Sequence, residues 1–295
     1  MTVQVQEQAS LLGPRKSLVA IVSTRRSGEA ATSSPAIVIL NAGIIHRVGP
    51  NRMFVELARR LAAAGHVAVR FDLSGIGDSE ARTDGLAPFE ATLTDIREAL
   101  DSLGGARKLD KFILIGLCSG ADQAVAYAGR DPRVVGIVQI DASIPRTPGY
   151  YVNHYRGRLF RLSSWLNFLS GRHPLWQMMA SRAPPPQRAG EVRASLQNPD
   201  VRAFLESAYG GALGSGVSFL SIFTSGLESQ HNYREQLLDA FPSVNFGAQM
   251  QLEYFDATDH TFTPEKDREA LLQLICGWVR QQSATTEPQL GQQAS

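Results

Sequence analysis

The stretch that most constrains this chain is Phe112-Ile113-Leu114-Ile115-Gly116-Leu117-Cys118-Ser119-Gly120-Ala121. An apolar, β-branched run ends in Gly-x-Cys-x-Gly, and a helix-like stretch from Ala121 to Arg130 follows at once. That order predicts a strand, a sharp turn and a helix, with the apex residue in a strained backbone conformation and its side chain standing clear of the sheet edge. Such a turn closes only if the residues two positions to either side of the apex are small. Gly116 and Gly120 meet that condition for Cys118. For Ser119 the flanking residues would be Leu117 and Ala121, and Leu117 is too large. The spacing therefore selects the thiol over the adjacent hydroxyl. A cysteine after a buried strand can also be a small apolar filler, so the rest of the chain bears on the choice.

Upstream, the pattern alternates. Ser17–Ser23 reads as a strand and Ala36–Leu40 as a second one, apolar throughout, as a strand buried on both faces should be. Asn51–Ala64 carries Met53, Phe54, Leu57 and Leu61 at helical spacing, and Gly65 stops it. Val67–Asp72 is a third strand, opening on Leu73-Ser74-Gly75-Ile76-Gly77-Asp78-Ser79. Phe89–Leu103 is helical, and Val134–Ile140 is a fifth strand that ends at Asp141. Apolar strands alternating with amphipathic helices indicate an α/β chain with a mostly parallel sheet flanked by helices, whose active residues gather at the carboxyl ends of the strands.

The rhythm breaks over 143–215. This span contains no clear strand but many aromatics and arginines, interrupted by Ala183-Pro184-Pro185-Pro186. It reads as a mainly helical cap inserted after the strand ending near Asp141. The sheet resumes at Val217–Phe223. A helical stretch over Asn232–Ala240 precedes a last strand, Met250–Phe255, and a closing helix covers about Lys266–Arg280. The expected organisation is a core of 1–142 and 216–282, a cap of 143–215 and a disordered tail of 283–295, rich in Gln, Ser and Thr.

Composition narrows the function. With 43% apolar residues among 295, a sizeable core can be buried; a net charge of +1 gives no reason to expect nucleic acid. The two cysteines, Cys118 and Cys276, are far apart. They form neither a disulfide framework nor a zinc spacing and suit a reducing, cytoplasmic compartment. No apolar stretch approaches the length of a membrane span, and the N-terminus lacks the layout of a signal peptide. No cofactor is expected: Glu80 stands where a dinucleotide fingerprint would place its third glycine. No metal-ligand spacing is present either.

Four features now stand in order: a glycine loop (Asn41-Ala42-Gly43) after the second strand, the Asp72–Ser79 loop, the Cys118 turn, and Asp259-His260 after the last strand. Together they resemble the α/β-hydrolase superfamily over roughly Leu18–Val279, with 143–215 as its variable cap. Cysteine at the apex resembles the dienelactone hydrolases, whose turn is also Gly-x-Cys-x-Gly. Asn41–Arg52 resembles a bacterial subgroup of hydrolases, some of which accompany surface-polysaccharide or natural-product gene sets. The resemblance implies that Cys118 is a nucleophile, that His260 is its base with His46 competing, and that the backbone N–H groups of Ser119 and of Gly43 or Ile44 hold the oxyanion. It places the orienting acid after the penultimate strand, where Glu228 is the only carboxylate, and in a minority of members after the strand that here ends at Asp141. Glu228 is favoured and Asp141 is the alternative acid. No comparable role is expected for His154, His173 or His231, and His66 reads as structural.

A free thiol is only partly ionised at neutral pH, and an adjacent imidazole can take its proton to give a strong nucleophile. The expected activity is hydrolysis of an ester or thioester through a covalent acyl-enzyme, acting on a small-molecule acyl substrate. The alternative is biosynthetic acyl transfer to an acceptor other than water. Eight arginines between Arg146 and Arg193 face one acid, Glu191, so a basic cap could dock an acyl carrier protein. A third possibility is a non-catalytic binding protein on the same fold.

Overall fold

A computed structural model describes residues 3–26, 34–159 and 196–286. Eight strands form one sheet: β1 (Val5–Leu12), β2 (Leu18–Arg25), β3 (Ala36–Ile39), β4 (Ala68–Phe71), β5 (Phe112–Leu117), β6 (Val134–Ile140), β7 (Ser218–Thr224) and β8 (Met250–Phe255). Their order is β1-β2-β4-β3-β5-β6-β7-β8. β2 is antiparallel to both of its neighbours, and β3 to β8 run parallel. This is the α/β-hydrolase fold.

Successive side chains on each strand point to opposite faces, and both faces are covered. Ile37, Ile39, Ile113, Ile115, Val138 and Ile140 pack against α1 (Met53–Ala63) and α7 (Glu265–Thr286), which contribute Phe54, Leu57, Leu61, Leu271, Ile275 and Trp278. Ala36, Val38, Leu40, Leu114 and Phe219 face α2 (Pro88–Arg107), α3 (Ser119–Ala128) and α5 (Pro199–Gly214). Each fully buried aliphatic or aromatic side chain of this kind contributes about 1.5–3 kcal/mol. Two further helices among the described residues are α4 (Pro148–Leu159) and α6 (Gln236–Ala240).

The central strands match the expected ones to within about a residue. β1 was not expected. Its side chains alternate between exposed and half-buried at the sheet edge, so its sequence, Val-Gln-Glu-Gln-Ala-Ser, carries too weak an apolar rhythm to signal a strand. Residues 160–195, about half of the expected cap, lie outside the described residues. α5 falls inside the span 143–215, yet it packs on the core. The backbone of Gly129 lies so close to Gly211 and Ala212 that a methyl group there would sit 3.1 Å from the Ala212 nitrogen. Tyr209, 1% exposed, reaches through the core to donate to Gln139 Oε1 at 2.9 Å. The closing helix continues to Thr286, so the first residues of the expected tail, from Ser283, are helical, and 287–295 lie outside the described residues.

Candidate active site

The sheet ladder sets the site's spacing. The Cys118 N–H donates to Ile140 O at 2.9 Å, and the Asp141 N–H donates to Ile222 O at 2.8 Å. Both residues are therefore the first beyond their strands, side by side at the carboxyl edge.

Cys118 adopts φ 56° and ψ −122°, a region costly for a residue with a Cβ. The turn is closed by direct backbone packing. A Cβ on Gly116 would overlap the Gly120 carbonyl and the Ala121 nitrogen, and one on Gly120 would overlap the Asn41 carbonyl oxygen. The glycine spacing read from the sequence thus has a steric cause. α3 starts at Ser119, and the first N–H groups of a helix lack intrahelical acceptors, which leaves the Ser119 N–H available at the thiol.

The facing loop is tied down by side chains. Asn41 Nδ2 donates to Ile45 O at 2.9 Å and Asp72 Oδ1 at 3.2 Å, and Asn41 Oδ1 accepts the Leu73 N–H at 2.7 Å. Buried Asp72 also accepts the Arg47 N–H at 2.6 Å and pairs with the Arg47 guanidinium. A Cβ on Gly77 would strike the Asp72 carboxylate, so this glycine of Leu73–Ser79 serves the bracket. Gly43 lies on the loop with φ 58°, and its N–H donates to Ser119 Oγ at 2.8 Å. The hydroxyl of Ser119 therefore occupies the expected second oxyanion donor. Ile44 is 92% exposed.

His260 follows β8, on a loop shaped by Asp259, whose Oδ1 accepts the Thr261 N–H at 2.8 Å and hydroxyl at 2.6 Å. The loop approaches the turn after β7 only because residue 226 is glycine; a Cβ there would press on the Asp259 and His260 backbone. His260 Nδ1 donates to Asp141 Oδ2 at 2.7 Å. Burial alone would lower the His260 pKa. The Asp141 hydrogen bond, then that of Cys118, outweigh burial and raise it to about 9 from 6.5.

The carboxylate on His260 is Asp141, the alternative acid, and not Glu228. Asp141 is buried with φ 47°. Its Oδ1 accepts the Thr224 N–H and its Oδ2 the Thr224 hydroxyl, both at 2.7 Å. Burial pushes its pKa up, but His231, His260 and Thr224 together hold it below the usual carboxylate value. Glu228 caps the short 3-10 helix Ser225–Leu227 and is exposed. That helix starts directly after β7 and carries residue 228 out to solvent, whereas Asp141 sits one residue past the β6 ladder.

Of the other histidines, His46 is exposed. His66 is buried, and burial lowers its pKa. His154 stacks on Tyr150, and His173 lies outside the described residues. His231 is fully buried with Nε2 3.3 Å from Asp141 Oδ1. Thr224 and His231 are the site residues that the sequence reading missed. A threonine ending an apolar strand and a histidine in the following turn carry no local sign that they converge on a carboxylate from another strand. Among the described residues no group of three or more His, Cys, Asp or Glu is placed to hold a metal ion, and no helix is long and apolar enough to cross a membrane.

A thiol, an imidazole and a buried carboxylate in this sequence of contacts can carry nucleophilic acyl chemistry. Solved structures with the same fold span nearly all of the chain. A protein of unknown function from Agrobacterium tumefaciens matches with 14% identity and a TM-score of 0.57, covering 95% of this chain and 97% of its own. The esterase domain of a Rhodothermus marinus protein matches with 17% identity and a TM-score of 0.53, covering 94% and 99%. Proline iminopeptidase from Mycobacterium smegmatis matches with 13% identity and a TM-score of 0.55, covering 96% and 100%. No curated protein sequence matches the chain. A family profile described as serine aminopeptidase, S33, matches residues 32–208, more than half of the chain, and the chain belongs to this family of α/β-hydrolases.

Proposed function

We propose that the protein is a cysteine hydrolase of esters or thioesters working through an acyl-enzyme. The observation that carries this reading is Cys118 at the strained apex, φ 56°, in hydrogen-bond reach of a histidine whose other nitrogen rests on a buried aspartate. The family's name specifies a serine, and Ser119 is adjacent. Ser119, however, begins a regular helix, and its Oγ is engaged by the Gly43 N–H.

In the proposed reaction the Cys118 sulfur attacks the substrate carbonyl carbon after its proton passes to His260. The carbonyl oxygen becomes an oxyanion and takes hydrogen bonds from the Ser119 N–H and from the Gly43 N–H, which the Ser119 hydroxyl gives up as the oxyanion forms. A donor held free before charge develops, as the Ser119 N–H is, is worth about 3–4 kcal/mol. The intermediate collapses to a thioester on Cys118, and His260 protonates the departing alcohol or thiol. His260 then takes a proton from water, whose oxygen attacks the acyl carbon; the carbon–sulfur bond breaks, Cys118 takes that proton back from His260, and the acid is released. Asp141 holds the imidazole with its proton on Nδ1 throughout.

Intact-protein mass spectrometry with octanoyl-N-acetylcysteamine, followed by peptide mapping, tests this proposal. Free octanoate, with any octanoyl adduct on Cys118, is the expected result, and Cys118→Ala abolishes both. An adduct on Ser119, or full turnover by Cys118→Ala, overturns the thiol assignment. An adduct stable in water but discharged by an amine, alcohol or thiol replaces hydrolysis with acyl transfer.

A further inference from the structure

His231 has no part in the reaction as just described, yet its position is unusual. It is 0% exposed. Its Nε2 lies 3.3 Å from Asp141 Oδ1, at ion-pair distance but without the alignment of a full hydrogen bond. Its Nδ1 meets no hydrogen-bond partner among the described residues. The edge of its ring meets Phe223, with centroids 4.9 Å apart. A buried polar group left without a partner costs about 1–3 kcal/mol, and a hydrophobic residue of similar size would avoid that cost.

We propose that His231 is a positioning residue for the catalytic pair: its Nε2–H faces the Asp141 oxygen and draws the carboxylate's charge away from His260, which keeps the His260 imidazole able to release its proton. This inference rests on the reading of His260 as the base.

Three observations converge on it. First, Asp141 is gripped on both oxygens from one segment. Thr224 donates to each, and His231 lies seven residues further along the same turn, against Oδ1. Second, neither ring nitrogen makes a full hydrogen bond, and the tautomer with its proton on Nε2 turns the ring's donor towards the carboxylate. Third, the Thr224 N–H is the other donor on that oxygen, and among the described residues no charged donor reaches it. The charged and titratable groups around the turn include Asp141 from β6, His260 and Asp259 from the loop after β8, Tyr254 from β8, Glu228 on the turn itself, Arg146 from the segment after β6 and Tyr150 from α4, whose hydroxyl donates to Ser229 O at 3.3 Å. Glu228 is exposed. Arg146 spends its guanidinium on Ser229 O at 2.7 Å and lies over the Tyr150 ring. The Tyr254 hydroxyl is pushed up to about 12, first by burial and then by Asp256, Asp141 and Glu228, so it stays neutral through the working range.

The sign follows from charge. A donor on Oδ1 lowers the electron density that Asp141 offers His260 and so weakens the hold on the imidazolium. Removing that donor strengthens the hold, and His260 keeps its proton to higher pH. The test is the titration of His260 by heteronuclear NMR of the imidazole ring in wild type, His231→Phe and His231→Gln. His231→Phe is expected to move the His260 midpoint up by about one pH unit, equivalent to a tenfold change in proton affinity. His231→Gln, which can present an amide N–H to Oδ1, returns it part of the way. In thioester turnover the same variants shift the acidic limb of the kcat profile, where the base must lose its proton, and leave KM within about twofold. An unchanged His260 midpoint in a folded His231→Phe protein overturns the inference. Should neither variant fold, the wild-type spectrum decides. A His231 Nε2–H resonance whose shift follows the His260 titration supports the contact, and one indifferent to it overturns it. Octanoylation of Cys118 in the same samples reports separately on the proposed function, so a failed acyl-enzyme and a failed role for His231 give different results.

Discussion

The turn after β5 and the turn after β7 meet at the same edge of the sheet but are held by different forces. The first is steric. Gly116 packs on the Gly120 backbone, Gly120 packs on Asn41, and Cys118 has no alternative to φ 56°. The second is electrostatic. Thr224 and His231 are drawn to one carboxylate that belongs to the neighbouring strand. A steric turn fixes where a nucleophile stands whatever the pH. A turn organised on a charge fixes how the base behaves and can be altered by changing one proton or one donor. The site therefore separates placement of the sulfur from tuning of the imidazole, and substitutions on either side should fail in different ways.

The largest effect is expected at the steric turn. Gly116→Ala puts a methyl group into backbone atoms that cannot move without opening the elbow. The expected outcome is a loss of about 4 kcal/mol or more, the range reserved for severe steric and core defects, together with loss of Cys118 acylation. Urea unfolding beside the acylation assay measures both. A stable and active Gly116→Ala protein would show that the turn is more pliant than the glycine contacts indicate.

On the electrostatic side, Asp141→Asn keeps the shape and removes the charge. The largest contact that opposes burial at His260 is then lost and Cys118 alone remains against it, so the midpoint should fall from about 9, and turnover should fall by about 10²–10⁴-fold, as when a triad loses the carboxylate that sets its imidazole. Stability should change with pH in the matching sense. Because the folded pKa of His260 is raised, the Asp141–His260 pair contributes fully below about 6.5 and is lost as pH rises through about 9. Thermal melts of wild type between these pH values should decline where those of Asp141→Asn stay flatter. Parallel melting curves would contradict the charged pair.

The same contrast explains what could be read from the sequence. The Cys118 turn is encoded within five consecutive residues, because its constraint is backbone crowding and glycine is the only solution. β3, β5 and β6 were equally legible, since burial on both faces requires unbroken apolar runs. The acid was not. Choosing Asp141 over Glu228 depends on which strand end lies beside which and on the 3-10 helix that turns Glu228 outward, and neither is written near those residues. The edge strand β1 and the core role of α5 were missed for a related reason: each is defined by what it packs against. Thr224 and His231 gain their roles only once β6 and β7 are neighbours.

A smaller effect is expected where the two mechanisms touch. Ser119 offers its N–H to the substrate site by helix geometry but also holds Gly43 through its hydroxyl. A role for its backbone alone would make the side chain irrelevant. The contact instead predicts that Ser119→Ala, with the Gly43 N–H released from its acceptor, changes kcat/KM by up to about tenfold while the acyl adduct still maps to Cys118. A loss beyond about 10³-fold would move the nucleophile to the hydroxyl and weaken the steric argument for the apex.

The smallest effect belongs to Glu228, and it gives the comparison its sharpest control. This residue sits on the electrostatic turn, four residues after Thr224, yet its side chain is exposed. If proximity in sequence to the site were enough, Glu228→Gln would slow the reaction as Asp141→Asn does. If the turn acts only through groups that reach Asp141, Glu228→Gln should leave kcat/KM within about twofold and the His260 midpoint nearly unchanged, because an exposed charge is screened by solvent and salt. Measuring both variants in one buffer series separates the two cases. A Glu228→Gln defect as large as that of Asp141→Asn would mean that the acid changes partners during turnover, and His260 would then have to leave Asp141 to reach it.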